Sequence, residues 1–173
     1  MKINPAKYSH LCSSSMEVEP KIMLSPYSSA PSSSIDYITK LSKKSDVTLD
    51  IGSGKGETPI RFVEHGVRYA WGIECDRGLV DEAIFKIKER GLREEVGIIH
   101  NDVFRVNLLD IEPLPTLLTL NFTWGGLFSL VGKLERELEK GTRIFTTKEL
   151  EGWRPPKKTH RVGCLDKAFE YVI

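Results

Sequence analysis

The residues best suited to chemistry form one short run, Asp50-Ile51-Gly52-Ser53-Gly54-Lys55-Gly56, followed downstream by two acids, Glu74 and Asp102. Three glycines at alternate positions allow a tight reversal and let a ligand lie against bare backbone. The spacing is not that of a phosphate cradle. The dinucleotide pattern G-x-G-x-x-G needs its third glycine where this chain has Glu57, and a carboxylate at a helix N-terminus repels a pyrophosphate. The loop G-x-x-x-x-G-K-[ST] is absent as well, because Lys55 precedes Gly56. Asp50, two residues before the first glycine, favours a cationic ligand. The alternative for the run is a tight turn that binds nothing.

Glu74 follows Gly54 by 20 residues. At that spacing a carboxylate accepts hydrogen bonds from ribose hydroxyls, unless it is only a solvated strand end. Asp102, in His100-Asn101-Asp102-Val103-Phe104, can accept from an adenine amine with Val103 flanking the ring, or can cap a helix. Cys75 is expected to pack beside the ligand rather than to act as a nucleophile. His65 and His100 have no partner that would make a triad or metal site.

Strands and helices must alternate to hold these residues. Val47–Ile51 is a short apolar, β-branched run expected to be a buried strand. A short helix with Ile60, Phe62 and Val63 follows the glycines, with Pro59 in its first turn and Gly66 at its end. Tyr69–Glu74 reads as a second strand. Asp76 then caps a helix with Val80, Ala83, Ile84 and Ile87 on one face and a Glu82–Lys86 pair on its surface, stopped by Gly91. Further strands are expected at Val96–His100, 116–120 and 143–147. A helix carrying Leu127, Leu130, Val131, Leu134 and Leu138 lies before the last of these. The tail, 161–165 and 167–173, reads as a hairpin. Alternating strands and helices imply right-handed crossovers, a mostly parallel doubly wound sheet and ligand binding beyond the strands' carboxyl ends.

A loop favouring a cation, a ribose acceptor and an adenine acceptor together describe S-adenosylmethionine, which carries a sulfonium and no phosphate. LDIGSGKGE at 49–57, GIECD at 72–76 and HNDVF at 100–104 resemble the class I methyltransferases. The resemblance spans about residues 46–173 and implies a Rossmann-like α/β fold of seven strands, ordered 3-2-1-4-5-7-6, with a C-terminal antiparallel hairpin. It implies S-adenosylmethionine as cofactor, bound by Asp50, Gly52, Ser53, Gly54, Glu74, Cys75, Asp102 and Val103. No catalytic residue is nominated, because the sulfonium is already a strong electrophile.

Within that class the chain is similar to small archaeal protein-lysine methyltransferases. Pro26-Tyr27-Ser28-Ser29-Ala30-Pro31 is similar to their P-Y-V-P-T-P. The segment 133–143 is similar to their helix and fifth strand, and 149–155 to their E-x-x-G-W-x-P. This implies a protein lysine amine as substrate, with Tyr27 and Trp124 as walls of its channel. Asn121-Phe122-Thr123-Trp124 stands where that family is aliphatic. It is similar to the N-P-P-[YFW] motif of enzymes that methylate base amines, without the prolines, so Asn121 joins the substrate side. An RNA or small-molecule methyltransferase, and a non-catalytic cofactor-binding subunit, remain the alternatives.

The 173 residues allow one domain, read as a domain at 35–173 behind a serine- and proline-rich arm at 1–34. Ser34 is expected to cap the domain's first helix, containing Ile35 and Ile38. A net charge of +1 supplies no global field for nucleic acid or anionic lipid. The cluster Arg154, Lys157, Lys158, His160 and Arg161 is then a local patch for an anion, or a solvated loop. No apolar run reaches the ~18 residues of a membrane span. The N-terminus does not read as a secretory signal, and three widely spaced cysteines argue against a disulfide framework. A reducing, cytoplasmic setting is the expectation.

Overall fold

The computed structural model describes residues 32–121, 124–162 and 166–173, with only the backbone over 124–128. The arm through residue 31, including Tyr27, lies outside the described residues. In chain order the elements are α1 (Ser32–Leu41), β1 (Val47–Ile51), α2 (Glu57–Glu64), β2 (Tyr69–Glu74), α3 (Arg77–Glu89), β3 (Val96–His100), β4 (Leu117–Leu120), α4 (Trp124–Glu137), β5 (Arg143–Thr146), β6 (Lys158–Val162) and β7 (Asp166–Val172). Two 3₁₀ turns, Val103–Arg105 and Leu108–Asp110, lie between β3 and β4.

The seven strands form one sheet in the order β3-β2-β1-β4-β5-β7-β6. β1 to β5 pair in parallel, while β7 is antiparallel to both β5 and β6. This is the Rossmann-like methyltransferase fold that the sequence implies. Parallel strands covered on both faces read as continuous apolar runs, and β1, β2 and β4 are buried at every position. On one face Ile38, Ile60, Phe62 and Ile87 of α1, α2 and α3 share a core with Phe145. On the other, Leu130 and Leu134 of α4 pack with Leu49, Ile51, Trp71 and Tyr171.

A polar network clamps the amino ends of the strands, away from the glycine loop. Arg143 donates to Asp46 Oδ2 at 2.5 Å and to the Leu41 carbonyl at 3.0 Å, while the Thr116 hydroxyl donates to Asp46 Oδ1. It ties the end of α1 to β5 and to the chain entering β1 and β4. No described helix is long and apolar enough to cross a membrane.

Four local expectations need correction. Ser34 does not cap α1, which starts at Ser32; Ser34 is buried within it. Ile84 is 45% exposed, because the buried stripe of α3 is only Val80, Ala83 and Ile87. Glu82 and Lys86 do not pair with each other: Lys86 reaches Glu57, and Glu82 reaches Lys55. The sixth strand lies earlier than expected, at Lys158–Val162, and His160 points inward rather than joining a cationic surface.

Candidate cofactor and acceptor site

The loop from β1 to α2 is built on conformations that only glycine adopts cheaply. Gly52, Gly54 and Gly56 have φ of 74°, 52° and 72°. The loop is fastened to β2: the amides of Gly52 and Ser53 both donate to the Ile73 carbonyl, at 2.8 and 3.0 Å. The Ser53 side chain turns inward, and a Cβ at Gly72 would lie 2.5 Å from its Oγ. Ser53 Oγ is buried without a hydrogen-bond partner, so this residue offers a ligand its backbone rather than its hydroxyl.

Glu74, at the end of β2, holds the loop as well. Its Oε2 accepts from Gly54 N at 2.9 Å, and its Oε1 accepts from Cys75 N at 2.8 Å and Asp76 N at 2.9 Å. A carboxylate offers about four lone-pair positions, so three backbone donors leave room at Oε2 for a further hydroxyl. The carboxylate therefore links the glycine loop to the start of α3 and keeps capacity for a diol.

Asp102 follows β3, is 3% exposed, and caps the turn Val103–Arg105 by accepting from Phe104 N at 3.0 Å. Val103 is buried beside it. The cap and the ligand readings of Asp102 therefore concern one carboxylate with more than one acceptor position. The Cys75 carbonyl lies 3.2 Å from His100 Nε2, and burial, with Glu74 next to it, pushes the Cys75 thiol up to about 11. A thiol so raised is protonated at neutral pH and is a poor nucleophile.

Asp50 ends the row of acids. It is buried near the end of β1, and its Oδ1 accepts from the Thr119 hydroxyl of β4 at 2.6 Å. Burial pushes its carboxyl up to about 7, hydrogen bonds from Thr119 and Thr58 pull it back in part, and the charge of Glu74 pushes it further up. Asp50 lines a small cleft together with Thr58, Thr119, Asn121, Phe145 and Thr147. α1 closes one side through Ser34 and Ile35.

Asn121, just past β4, accepts at Oδ1 from the Thr147 hydroxyl at 2.9 Å, which brings it to the pocket. The Trp124 side chain, like Tyr27, lies outside the described residues; the Trp124 backbone opens α4. The structure thus brings Asp50, Gly52, Ser53, Gly54, Glu74, Cys75, Asp102 and Val103 to the carboxyl ends of β1 to β3. Thr58, Thr119 and Thr147 were not read from the sequence. Thr119 and Thr147, in and after strands, look like any β-former, and only the pairing of β1 with β4 and of β4 with β5 brings them to the pocket, while Thr58 reaches Asp50 from the first turn of α2.

The connection from β5 to β6 is tied down rather than open to a substrate. Leu150 N donates to Tyr171 Oη at 2.7 Å, and Trp153 Nε1 donates to Glu135 of α4 at 2.7 Å. Arg154 covers the Trp153 ring and pairs with the same Glu135, so it is not available to an anion. Among the described residues no group of three metal-binding side chains occurs.

No protein-family model matches the chain, and no curated protein does. Solved structures do. An RNA methyltransferase from Salinibacter ruber, in complex with S-adenosyl-L-homocysteine, is 26% identical with a TM-score of 0.77, over 84% of this chain and 94% of that one. A SAM-dependent methyltransferase from Geobacter sulfurreducens, also with S-adenosyl-L-homocysteine, is 18% identical with a TM-score of 0.56, over 76% and 56%. The m1A22 tRNA methyltransferase of Bacillus subtilis is 15% identical with a TM-score of 0.56, over 65% and 48%. The latter two share only the fold with this chain.

Proposed function

We propose that this chain is an S-adenosylmethionine-dependent methyltransferase whose acceptor is the amine of a protein lysine. One arrangement carries the methyltransferase reading: a glycine loop at positive φ, held by Glu74 and flanked by buried Asp50 and Asp102, at the carboxyl end of a seven-stranded sheet. The likeness to the Salinibacter ruber protein, over nearly its whole length, supports the same reading.

The residues present fit the cofactor. Gly52, Ser53 and Gly54 offer bare backbone, Glu74 keeps an acceptor position for a ribose hydroxyl, and Asp102 with Val103 suits adenine. Cys75 packs alongside. Asp50, steadied by Thr119, is a buried acid for the cationic methionine end. When bound, S-adenosylmethionine supplies a methyl group on a sulfonium. The chain's own work is then to align the acceptor and to exclude water. A lysine amine titrates near 10.4, and enclosure in the pocket lowers that value, so the proton can leave to solvent without a dedicated base. Tyr27, Asn121 and Trp124 are assigned to the acceptor side, with residues 1–34 as an arm and 35–173 as the methyltransferase domain. Cation–π contact with Tyr27 and Trp124 would hold the amine.

The lysine assignment is supported by the resemblance of 26–31, 133–143 and 149–155 to archaeal protein-lysine methyltransferases. A second reading, methylation of RNA, is favoured by the name of the Salinibacter ruber protein. Labelled-methyl transfer to a cell extract separates them. The lysine reading expects label that survives nuclease and is lost to protease; the reverse pattern overturns it in favour of RNA. Deleting 1–31, which spares α1, is expected to abolish transfer and leave cofactor binding intact.

A further inference from the structure

We propose that the β6–β7 hairpin is a docking surface for an acidic polypeptide segment next to the target lysine, held by Arg161 and Lys167. The proposal rests on the protein-lysine reading above and narrows its substrate class. The geometry comes from the strand register. The last residue of β5, Thr146, faces Phe169 of β7, yet β7 starts three residues earlier, at Asp166. Over those residues it pairs only with β6. At about 3.3 Å per residue, the hairpin rises about 10 Å past the end of β5. It therefore stands as a wall at the ligand end of the sheet, with Val162 and Ala168 on the pocket face and Arg161 and Lys167, which alternate with them, on the face that α4 covers.

Arg161 and Lys167 face each other directly on that wall, and both are exposed. Directly opposed like charges destabilise an antiparallel pair, so stability does not account for them. Neither has an ion-pair partner among the described residues, and the same holds for Lys157 and Lys158 at the start of β6. Elsewhere some cations are matched, Arg61 with Asp36, Arg77 with Asp81 and Arg90 with Glu64, while others such as Lys44 and Lys140 stand singly in solvent. The hairpin gathers four exposed cations without an ion-pair partner among the described residues, Lys157, Lys158, Arg161 and Lys167, at one edge of the sheet.

Three observations favour a polypeptide over RNA. The net charge of +1 provides no long-range field for a polyanion. The hairpin's aromatic side chains, Phe169 and Tyr171, are buried in the core and offer no base a stacking platform. β6 is the edge strand, and its outer backbone can pair with an extended peptide, which a nucleic acid cannot do. Cations on such an edge discourage indiscriminate pairing, and acidic side chains on the incoming strand would neutralise them.

The test uses the full chain with saturating S-adenosyl-L-homocysteine and fluorescence anisotropy of two short labelled peptides. Each has one lysine, flanked in one peptide by glutamates and in the other by glutamines. The glutamate peptide is expected to bind about tenfold more tightly at low salt, from two exposed charge contacts. Arg161→Glu with Lys167→Glu should abolish that preference while calorimetry shows unchanged S-adenosyl-L-homocysteine affinity. Arg161→Gln with Lys167→Gln should abolish it too, should the double reversal fail to fold. Equal binding of the two peptides, or a preference that survives both variants, overturns the proposal. So does tight binding of an RNA oligonucleotide with neither peptide bound. A preference for glutamate in a chain that does not bind S-adenosyl-L-homocysteine would leave the docking surface standing and remove the methyltransferase reading instead.

Discussion

At Asp50 a shifted protonation meets the proposed cofactor site. Its carboxyl is pushed up to about 7 by burial, against an ordinary aspartate value of about 3.9. The folded chain therefore keeps a proton that the unfolded chain releases from about pH 4 upward. Stability falls as pH rises through the window between those two values and levels off above about 7. Asp50→Asn removes this slope, so thermal melts of the unliganded variant should lose several degrees less than the native chain between about pH 5 and pH 8. A cation placed against the carboxylate lowers its pKa. Binding of S-adenosylmethionine at about pH 6 should then release close to one proton from Asp50, a release that vanishes in Asp50→Asn. Calorimetry in buffers of different ionisation enthalpy measures it; identical release by native chain and variant would mean that Asp50 does not face the cation. Glu74 makes the complementary case. Glu74→Gln presents an amide to three backbone donors that now point at carboxylate oxygens, at a cost of about 1–3 kcal/mol for each donor left unmet. S-adenosyl-L-homocysteine affinity should fall at least tenfold, roughly the effect of losing one such bond.

At the scale of elements, two glycines in neighbouring strands separate support of the site from support of the core. A Cβ at Gly72 in β2 would lie 2.5 Å from Ser53 Oγ and 2.7 Å from Ile98 Cδ1, so an alanine there pushes on the ligand loop. A Cβ at Gly97 in β3 would lie 2.7 Å from Trp71 Cε3, inside a ring that is 1% exposed. Gly97→Ala should cost about 2 kcal/mol of stability, in the overpacking range, while folded molecules still bind S-adenosyl-L-homocysteine. Gly72→Ala should lose more binding than stability. Melting curves with paired titrations check both, and equal effects on both properties in both variants would refute the separation. The same scale shows what was legible in the sequence. β1, β2 and β3 were readable to the residue because parallel strands buried on both faces are unbroken apolar runs. β6 was not, because an edge strand buries only His160 and Val162 among cations. Ile84 kept the helical spacing of its neighbours but faces solvent, since spacing reports a stripe and not its width. The partners of Lys86 and Glu82 come from α2 and the glycine loop, which no spacing within α3 reveals. The glycines and acids were legible because each sits next to a strand end; the hydroxyls of Thr58, Thr119 and Thr147 join them only through tertiary packing.

At the scale of the whole molecule the two ends of the sheet are built differently. The amino ends are closed by Arg143, Asp46 and Thr116, a network in which each charge is answered. The carboxyl ends gather Asp50, Glu74 and Asp102, and the charges of Glu74 and Asp102 both act to raise the Cys75 thiol, as Glu74 raises Asp50. Acids that crowd one another in this way leave the folded chain short of its best stability until a positively charged ligand enters. Ligand binding should therefore register as a global gain. At one hundred times its dissociation constant a ligand that binds only the folded state adds about 2.7 kcal/mol. For a chain of this size that corresponds to a rise in melting temperature of about 5–10 °C. S-adenosylmethionine should produce this rise in the native chain and a much smaller one in Gly72→Ala at the same concentration. It should also move the whole transition rather than a part of it, because α2, β2 and α3 all meet the loop that it contacts. A folded native chain whose melting temperature does not respond would show that the acids at the carboxyl end serve some other partner.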